Sequence, residues 1–99
     1  MRVELRIEAR WDLVDAAEFY DKQRVGLGDY FFDCVYMDLK KLESQAGIHE
    51  LAFGFRRKLV KRFPFAIYYL VSETVVDVAA ILDCRSNPVE NERRLKRRS

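Results

Sequence analysis

The run RRKLVKRFPFAIYYLVSETVVDVAAILDCRSNP, residues 56–88, decides the fold. Residues 57–63 read as one strand and 65–71 as the next, the second rich in aromatic and β-branched side chains. Pro64 separates them, because its missing N–H would cost a central ladder one hydrogen bond. Val71-Ser72-Glu73-Thr74-Val75 predicts a tight hairpin. Residues 74–82 then form the most apolar run of the chain, with Val76, Val78, Ala80 and Leu82 expected on one face of a central strand. After Asn87-Pro88 the chain turns polar and charged.

Working outward, the N-terminus alternates Val3, Leu5 and Ile7 with Arg2, Glu4 and Arg6, the period of a half-buried strand. From about residue 9 to 23 the pattern is helical, with Leu13, Ala16, Ala17 and Tyr20 opposite Asp15, Glu18, Asp21 and Lys22. Arg24-Val25-Gly26-Leu27-Gly28 interrupts it, since paired glycines favour a turn. Asp29 is placed to cap a second helix over residues 29–46, whose stripe is Phe31, Val35, Leu39 and Leu42, widened by Phe32 and Tyr36. Gly47 ends it. The order is β-α-α-β-β-β with a short basic C-terminal tail. The fold class is α+β, a helical hairpin on one face of a mainly antiparallel sheet. Residues 1–88 are expected as the domain and 89–99 as the tail. The expected core is Leu13, Tyr20, Phe31, Val35, Leu39, Leu42, Ile67, Val76, Val78 and Ala80.

Ninety-nine residues with 49% hydrophobic content suit one domain with a core of its own, without metal or staples. Neither a cleavable signal nor a run of about 20 apolar residues is visible, so a cytoplasmic, membrane-free protein is expected. Cys34 and Cys84 have no metal-ligand spacing, and one His adds nothing to them; reduced thiols are the plain reading, with a buried disulfide as the alternative. Residues 1–50 hold 7 Lys/Arg against 11 Asp/Glu, and residues 51–99 hold 11 against 5. The positive charge gathers at Arg56-Arg57-Lys58 with Lys61-Arg62, and at Arg93-Arg94 with Lys96-Arg97-Arg98. Such asymmetry points to an acidic partner, either nucleic acid or an acidic protein segment.

Three stretches carry a family resemblance. Residues 24–31 (RVGLGDYF) resemble the inter-helix turn of ParE-like toxins, residues 56–69 their central hairpin, and residues 76–88 their last strand and exit. The acidic, Ala-rich opening helix at 11–20 is similar too, so the resemblance spans about residues 1–88. The chain thus resembles the RelE/ParE superfamily, closer to its ParE-like branch. The resemblance implies the toxin of a type II toxin–antitoxin, or plasmid stabilisation, system, inhibiting growth until a cognate antitoxin covers it. ParE-like members inhibit DNA gyrase; RelE-like members cut messenger RNA in the ribosome. It implies no cofactor and no metal, and leaves a homodimer open, as well as a non-toxic interaction module of the same fold.

Cleavage through a 2′-hydroxyl needs a base, a charge stabiliser and an acid. Arg57 and Arg85 match basic positions of the ribonuclease pattern and are the weak catalytic candidates. Ala66 and Leu59 stand where the ribonucleases carry basic groups, and no Tyr or His follows Arg85. His49 reads as a surface-loop histidine, Cys34 as helix packing, and Asp77 and Asp83 as surface residues. A binding inhibitor needs no catalytic group. Arg56, Arg57, Lys58, Arg62 and Arg85 are then the candidates for contact with target or partner. Strand alternation sends Arg56, Lys58 and Arg62 to one face and Arg57 and Lys61 to the other.

Overall fold

Two glycines that read alike in sequence do different work in the hairpin. A computed structural model describes all residues, 1–99. In it β1 (Arg2–Leu5) leads into α1 (Ile7–Gln23) and, after a three-residue turn, α2 (Leu27–Gln45). Gly26 is the N-cap of α2 at φ 89°, a left-handed conformation that favours glycine. Gly28 lies inside the helix, where a Cβ would come within 2.3 Å of the Ala17 carbonyl oxygen. Its N–H donates to Asp21 Oδ1 at 2.7 Å, so an acid on α1 satisfies an orphan donor of α2. Asp29, expected as the cap, instead sits in the first turn, where its charge meets the positive end of the helix dipole.

The remaining elements are β2 (Leu51–Ala52), β3 (Phe55–Leu59), β4 (Phe65–Val71), β5 (Val75–Asp83) and α3 (Pro88–Arg98). They make one five-stranded sheet in the order β1-β5-β4-β3-β2, antiparallel except for the β1–β5 pair. The α+β class and the helical hairpin on a mainly antiparallel sheet are as expected. The second expected strand, 57–63, is shifted: β3 spans Phe55–Leu59. The Val60 N–H bonds to the Phe65 carbonyl, which closes a tight loop over residues 61–64. Lys61 and Arg62 lie in that loop rather than on a strand, with Arg62 at φ 72°. The short strand β2 was not anticipated. Phe53 and Gly54 both adopt positive φ (54° and 86°) between β2 and β3, as in a two-residue hairpin turn.

All ten expected core residues are buried. Their arrangement differs in one respect. Val78 pairs with Tyr69 and Ala80 with Tyr68, so Ala79 is an extra residue that bulges β5. The bulge shifts the alternation. Val76, Val78 and Ile81 face the helical hairpin in a cluster of 14 buried residues. Ala79, Ala80 and Leu82 face the other way, with Phe55, Ala66, Tyr68 and Leu95.

The segment expected as a polar tail is α3. Asn87 caps it by accepting from the Val89 N–H at 2.9 Å, and Pro88 occupies its first turn. Leu95 is fully buried against the sheet. β1 pairs with β5 only as far as Val78, leaving the second half of β5 as an open edge. Asp12 of α1 accepts from the Ile81 N–H at 3.0 Å, and Arg98 of α3 donates to the Ala79 carbonyl at 3.1 Å and to Asp12 Oδ2 at 2.6 Å. One ion pair thus extends the edge and fastens α3. No helix is long and apolar enough to cross a membrane.

Candidate functional site

Three arginines are each held by a tyrosine hydroxyl, and they lie in three places. On the face opposite the hairpin, β3 pairs Arg57 with Tyr68 of β4. Arg57 Nε donates to Tyr68 Oη at 3.1 Å and Nη2 to Cys84 Sγ at 3.2 Å, with the guanidinium 6.0 Å from the Tyr68 ring centroid. This lies beside the part of the sheet that Leu95 covers. On that same face Ala66 is buried and Leu59 is exposed, so neither brings a polar group to Arg57.

Arg85 follows β5 and folds back on Asp83, with Nε to Oδ1 at 3.2 Å and Nη2 to Oδ2 at 3.0 Å. Nη2 also donates to Tyr20 Oη of α1 at 3.4 Å. Burial works against ionisation of Asp83, but hydrogen bonds from the Arg85 guanidinium and backbone, with its charge, outweigh that and hold the carboxyl below its usual range. Burial pushes the Tyr20 phenol up, against the opposing charge of Arg85, from whose Nη2 its oxygen accepts. Arg62, in the loop before Pro64, donates to Tyr30 Oη of α2 at 2.7 Å.

Arg56 and Lys58 point to the hairpin side of β3. Arg56 Nη1 donates to the His49 carbonyl at 3.0 Å. Lys58 Nζ lies 3.5 Å from Asp38 Oδ1, with side-chain exposures of 12% and 3%. That buried pair holds β3 to α2, and Asp38 also accepts from the Lys61 N–H at 2.8 Å. The five candidate contact residues therefore do not form one patch: Arg57, Arg62 and Arg85 present their charge outward, while Lys58 is committed to the core. Asp77 likewise is not a free surface acid, since it takes Arg6 Nη2 at 2.8 Å.

His49, expected on a free loop, packs edge-on against Tyr69 with ring centroids 5.6 Å apart. Its Nδ1 meets Tyr69 Oη, which accepts from the Gly47 N–H at 3.0 Å. Burial, and then the charges of Lys58 and Arg56, lower its pKa. Cys34 and Cys84 are free thiols, the first half-buried and the second exposed. Tyr68 and Tyr30 were not singled out in the sequence, and Tyr20 was expected in the core but not as a partner of Arg85. Tyr68 alone had a readable signal, as the cross-strand neighbour of Arg57 once the register is known.

On the far side of the molecule, the free edge of β1 and the two hairpin helices enclose a groove of about 750 Å³. Val3, Leu5, Leu13, Val14, Phe32 and Tyr36 line it, with Arg10, Lys40, Glu4 and Glu43 at its rim. Phe32 and Tyr36, which widen the stripe of α2, are about half exposed there.

No family model matches the sequence, and neither does any curated protein. Among solved structures, a chain of a chromosomal ParDE TA system from P. aeruginosa superposes with a TM-score of 0.74 at 19% identity. The match covers 82% of this chain and 92% of that one. The two chains share a fold. At this identity the likeness is one of fold.

Proposed function

We propose that the chain is the toxin of a toxin–antitoxin pair, a ParE-like binding inhibitor that a cognate antitoxin silences. The observation that carries this reading is the likeness to the ParDE chain over 92% of that chain's length. DNA gyrase is the target that the sequence resemblance implies. Binding inhibition needs outward charge held rigidly more than it needs a proton shuttle. Arg57 and Arg85 supply that, each fixed by a phenol and by a second partner. A ribonuclease would need further groups near them; on the Arg57 face Leu59 and Ala66 offer none.

The antitoxin's binding segment is placed in the β1–hairpin groove. An unpaired strand edge beside an apolar trough fits a chain that arrives disordered and folds on contact. A segment carrying apolar anchors would meet the apolar floor, and a rim of mixed charge in which Lys40 pairs with Glu43 at 3.3 Å while Arg10 is open to an acidic residue. Inducible expression in bacteria, with separate readouts of protein synthesis and DNA damage, tests the proposal. Growth arrest with DNA damage, relieved by co-expressing a small protein encoded beside the gene, is expected. Arrest with messenger RNA cut at codon-related positions would install the ribonuclease alternative. Unimpaired growth at confirmed expression would leave the interaction-module reading.

A further inference from the structure

Helix α3 carries charge that its own stability does not call for. Of its eleven residues five are basic and two acidic. Lysine and arginine in the last turn complement the helix dipole, which accounts for Lys96, Arg97 and Arg98. It does not account for Arg93 and Arg94, and like charges three and four residues apart, such as Arg94–Arg97 and Arg93–Arg97, oppose helix formation. Arg98 is turned inward onto Asp12 and the Ala79 carbonyl. With Leu95 buried, the helix is fixed in rotation, and Arg93, Arg94, Lys96 and Arg97 are left facing solvent. Glu90 lies 3.7 Å from Arg93 and Glu92 lies 2.9 Å from Lys96; Arg94 and Arg97 have no carboxylate within 4.0 Å.

We infer that the outward face of α3 is a binding surface for the phosphodiester backbone of nucleic acid, with Arg94 and Arg97 as its principal contacts. The chemistry separates this from a protein-docking face. Protein interfaces are anchored by buried aromatic or aliphatic side chains. Between Arg93 and Arg97 the only apolar residue is Leu95, and it points into the sheet. Phosphate binding asks only for dense, pre-positioned positive charge, with arginine able to fork onto two oxygens. This surface is separate from the β1–hairpin groove and from Arg85, and the inference stands whether or not the protein is a toxin.

The test is fluorescence anisotropy of the full chain with a labelled DNA duplex and, separately, a labelled single-stranded RNA, across a salt series. Binding in the non-specific range of about 10⁻⁴ to 10⁻⁶ M is expected, weakening with a log–log slope of about −0.9 per duplex phosphate engaged. The Arg94→Gln/Arg97→Gln double variant should flatten that slope by about two contacts and weaken binding tenfold or more, at unchanged helical content. A Lys22→Gln/Arg24→Gln variant, which removes the same charge from the hairpin turn, should bind as the parent does. The duplex and RNA arms identify which source of phosphodiester is preferred, and binding to either supports the inference. It is overturned if neither probe binds at the weak end of that range, or if the two variants lose equally. Tighter binding to poly-glutamate than to both nucleic acids also overturns it, in favour of an acidic protein segment.

Discussion

The two faces of the sheet are closed in opposite ways. On the hairpin side two long helices bury a cluster of 14 residues, where Phe31 meets Phe65 edge-on at 4.8 Å and the partly buried Phe63 packs edge-on against Phe31 at 5.0 Å. On the other side a single eleven-residue helix closes a cluster of seven, and Leu95 is its only fully buried apolar side chain. The first face is determined many times over. The second depends on one leucine, one capping asparagine and one ion pair, and on it lie the polar contacts of Arg57. Apolar burial is concentrated on the hairpin face, so the face closed by α3 is the one expected to open first.

The comparison breaks most severely at Val78, which is fully buried beneath the hairpin. Val78→Asp places an unpaired charge in that cluster and should abolish cooperative folding. A soluble Val78→Asp variant with a sharp melting transition would show that β5 is misplaced. Asp38→Ala is next in size. Asp38 is nearly inaccessible and receives the Lys61 N–H as well as Lys58, so its removal strands a buried ammonium. A loss of about 3–5 kcal/mol is expected by urea unfolding; a loss below about 1 kcal/mol would mean that Lys58 swings out to water instead.

Leu95→Ala sharpens the contrast because its damage should stay local. The cost is about 2–4 kcal/mol for a leucine in a closed core, towards the lower end here because α3 can peel away rather than leave a void. Hydrogen exchange should show amides of 88–98 exchanging rapidly while those of β4 and β5 keep their protection. Uniform loss of protection across the sheet would show that α3 and the hairpin core unfold as one unit.

The same contrast explains what was legible. Periodic apolar residues such as Phe31, Val35, Leu39 and Leu42 announce a helix packed on one face, and the apolar run through Val76 and Val78 announces a central strand. Helix α3 was hidden because PVENERRLKRR holds only two apolar residues, and its helix start at Asn87-Pro88 reads equally as an exit turn. The Ala79 bulge was hidden because the five consecutive apolar residues 78–82 look the same in either phase. β2 was hidden because Phe53-Gly54 lacks the Asn-Gly or Asp-Gly signal of a two-residue turn. At the arginine sites the basic residues were readable from charge alone. Their phenol partners were not, because Tyr20 and Tyr30 come from helices remote in sequence from Arg85 and Arg62.

A smaller effect comes from His49, whose ring packs on Tyr69 of the hairpin-side cluster. Its pKa is lowered in the fold, so the unfolded chain takes up the proton more readily. The stability it contributes is therefore present above about 6.5, its unfolded value, and is lost as pH falls through the depressed folded value. The urea midpoint should drop between about pH 7.5 and about pH 5.5 by more in the parent than in His49→Gln, which has no proton to gain. Equal drops would assign the acid sensitivity to other groups. The carboxyl of Asp83 is also held low, but it titrates below the ordinary carboxylate range and does not enter this window.

The smallest effect on stability, and the largest expected on activity, is at Arg85. Its side chain is 59% exposed, and its partner Asp83 keeps the Arg85 backbone N–H at 2.8 Å whatever side chain stands there. Arg85→Ala should therefore melt with the parent. If the proposed binding inhibition is correct, Arg85 acts by contact, and its two forked bonds onto Asp83 are exchanged for those of a target carboxylate or phosphate. Arg85→Lys keeps the charge and loses the fork, so it should retain part of the growth inhibition, while Arg85→Ala loses more. The graded order is the discriminating result. A residue stabilising a pentavalent phosphorane would show its loss in the cleavage rate of ribosome-bound messenger RNA. Cleavage fragments present with the parent and absent with Arg85→Ala would overturn the inhibitor reading. Growth inhibition that tracks charge at position 85 without any cleavage would place the action of this chain at the exit of β5, where Arg85 faces solvent beside Tyr20 of α1.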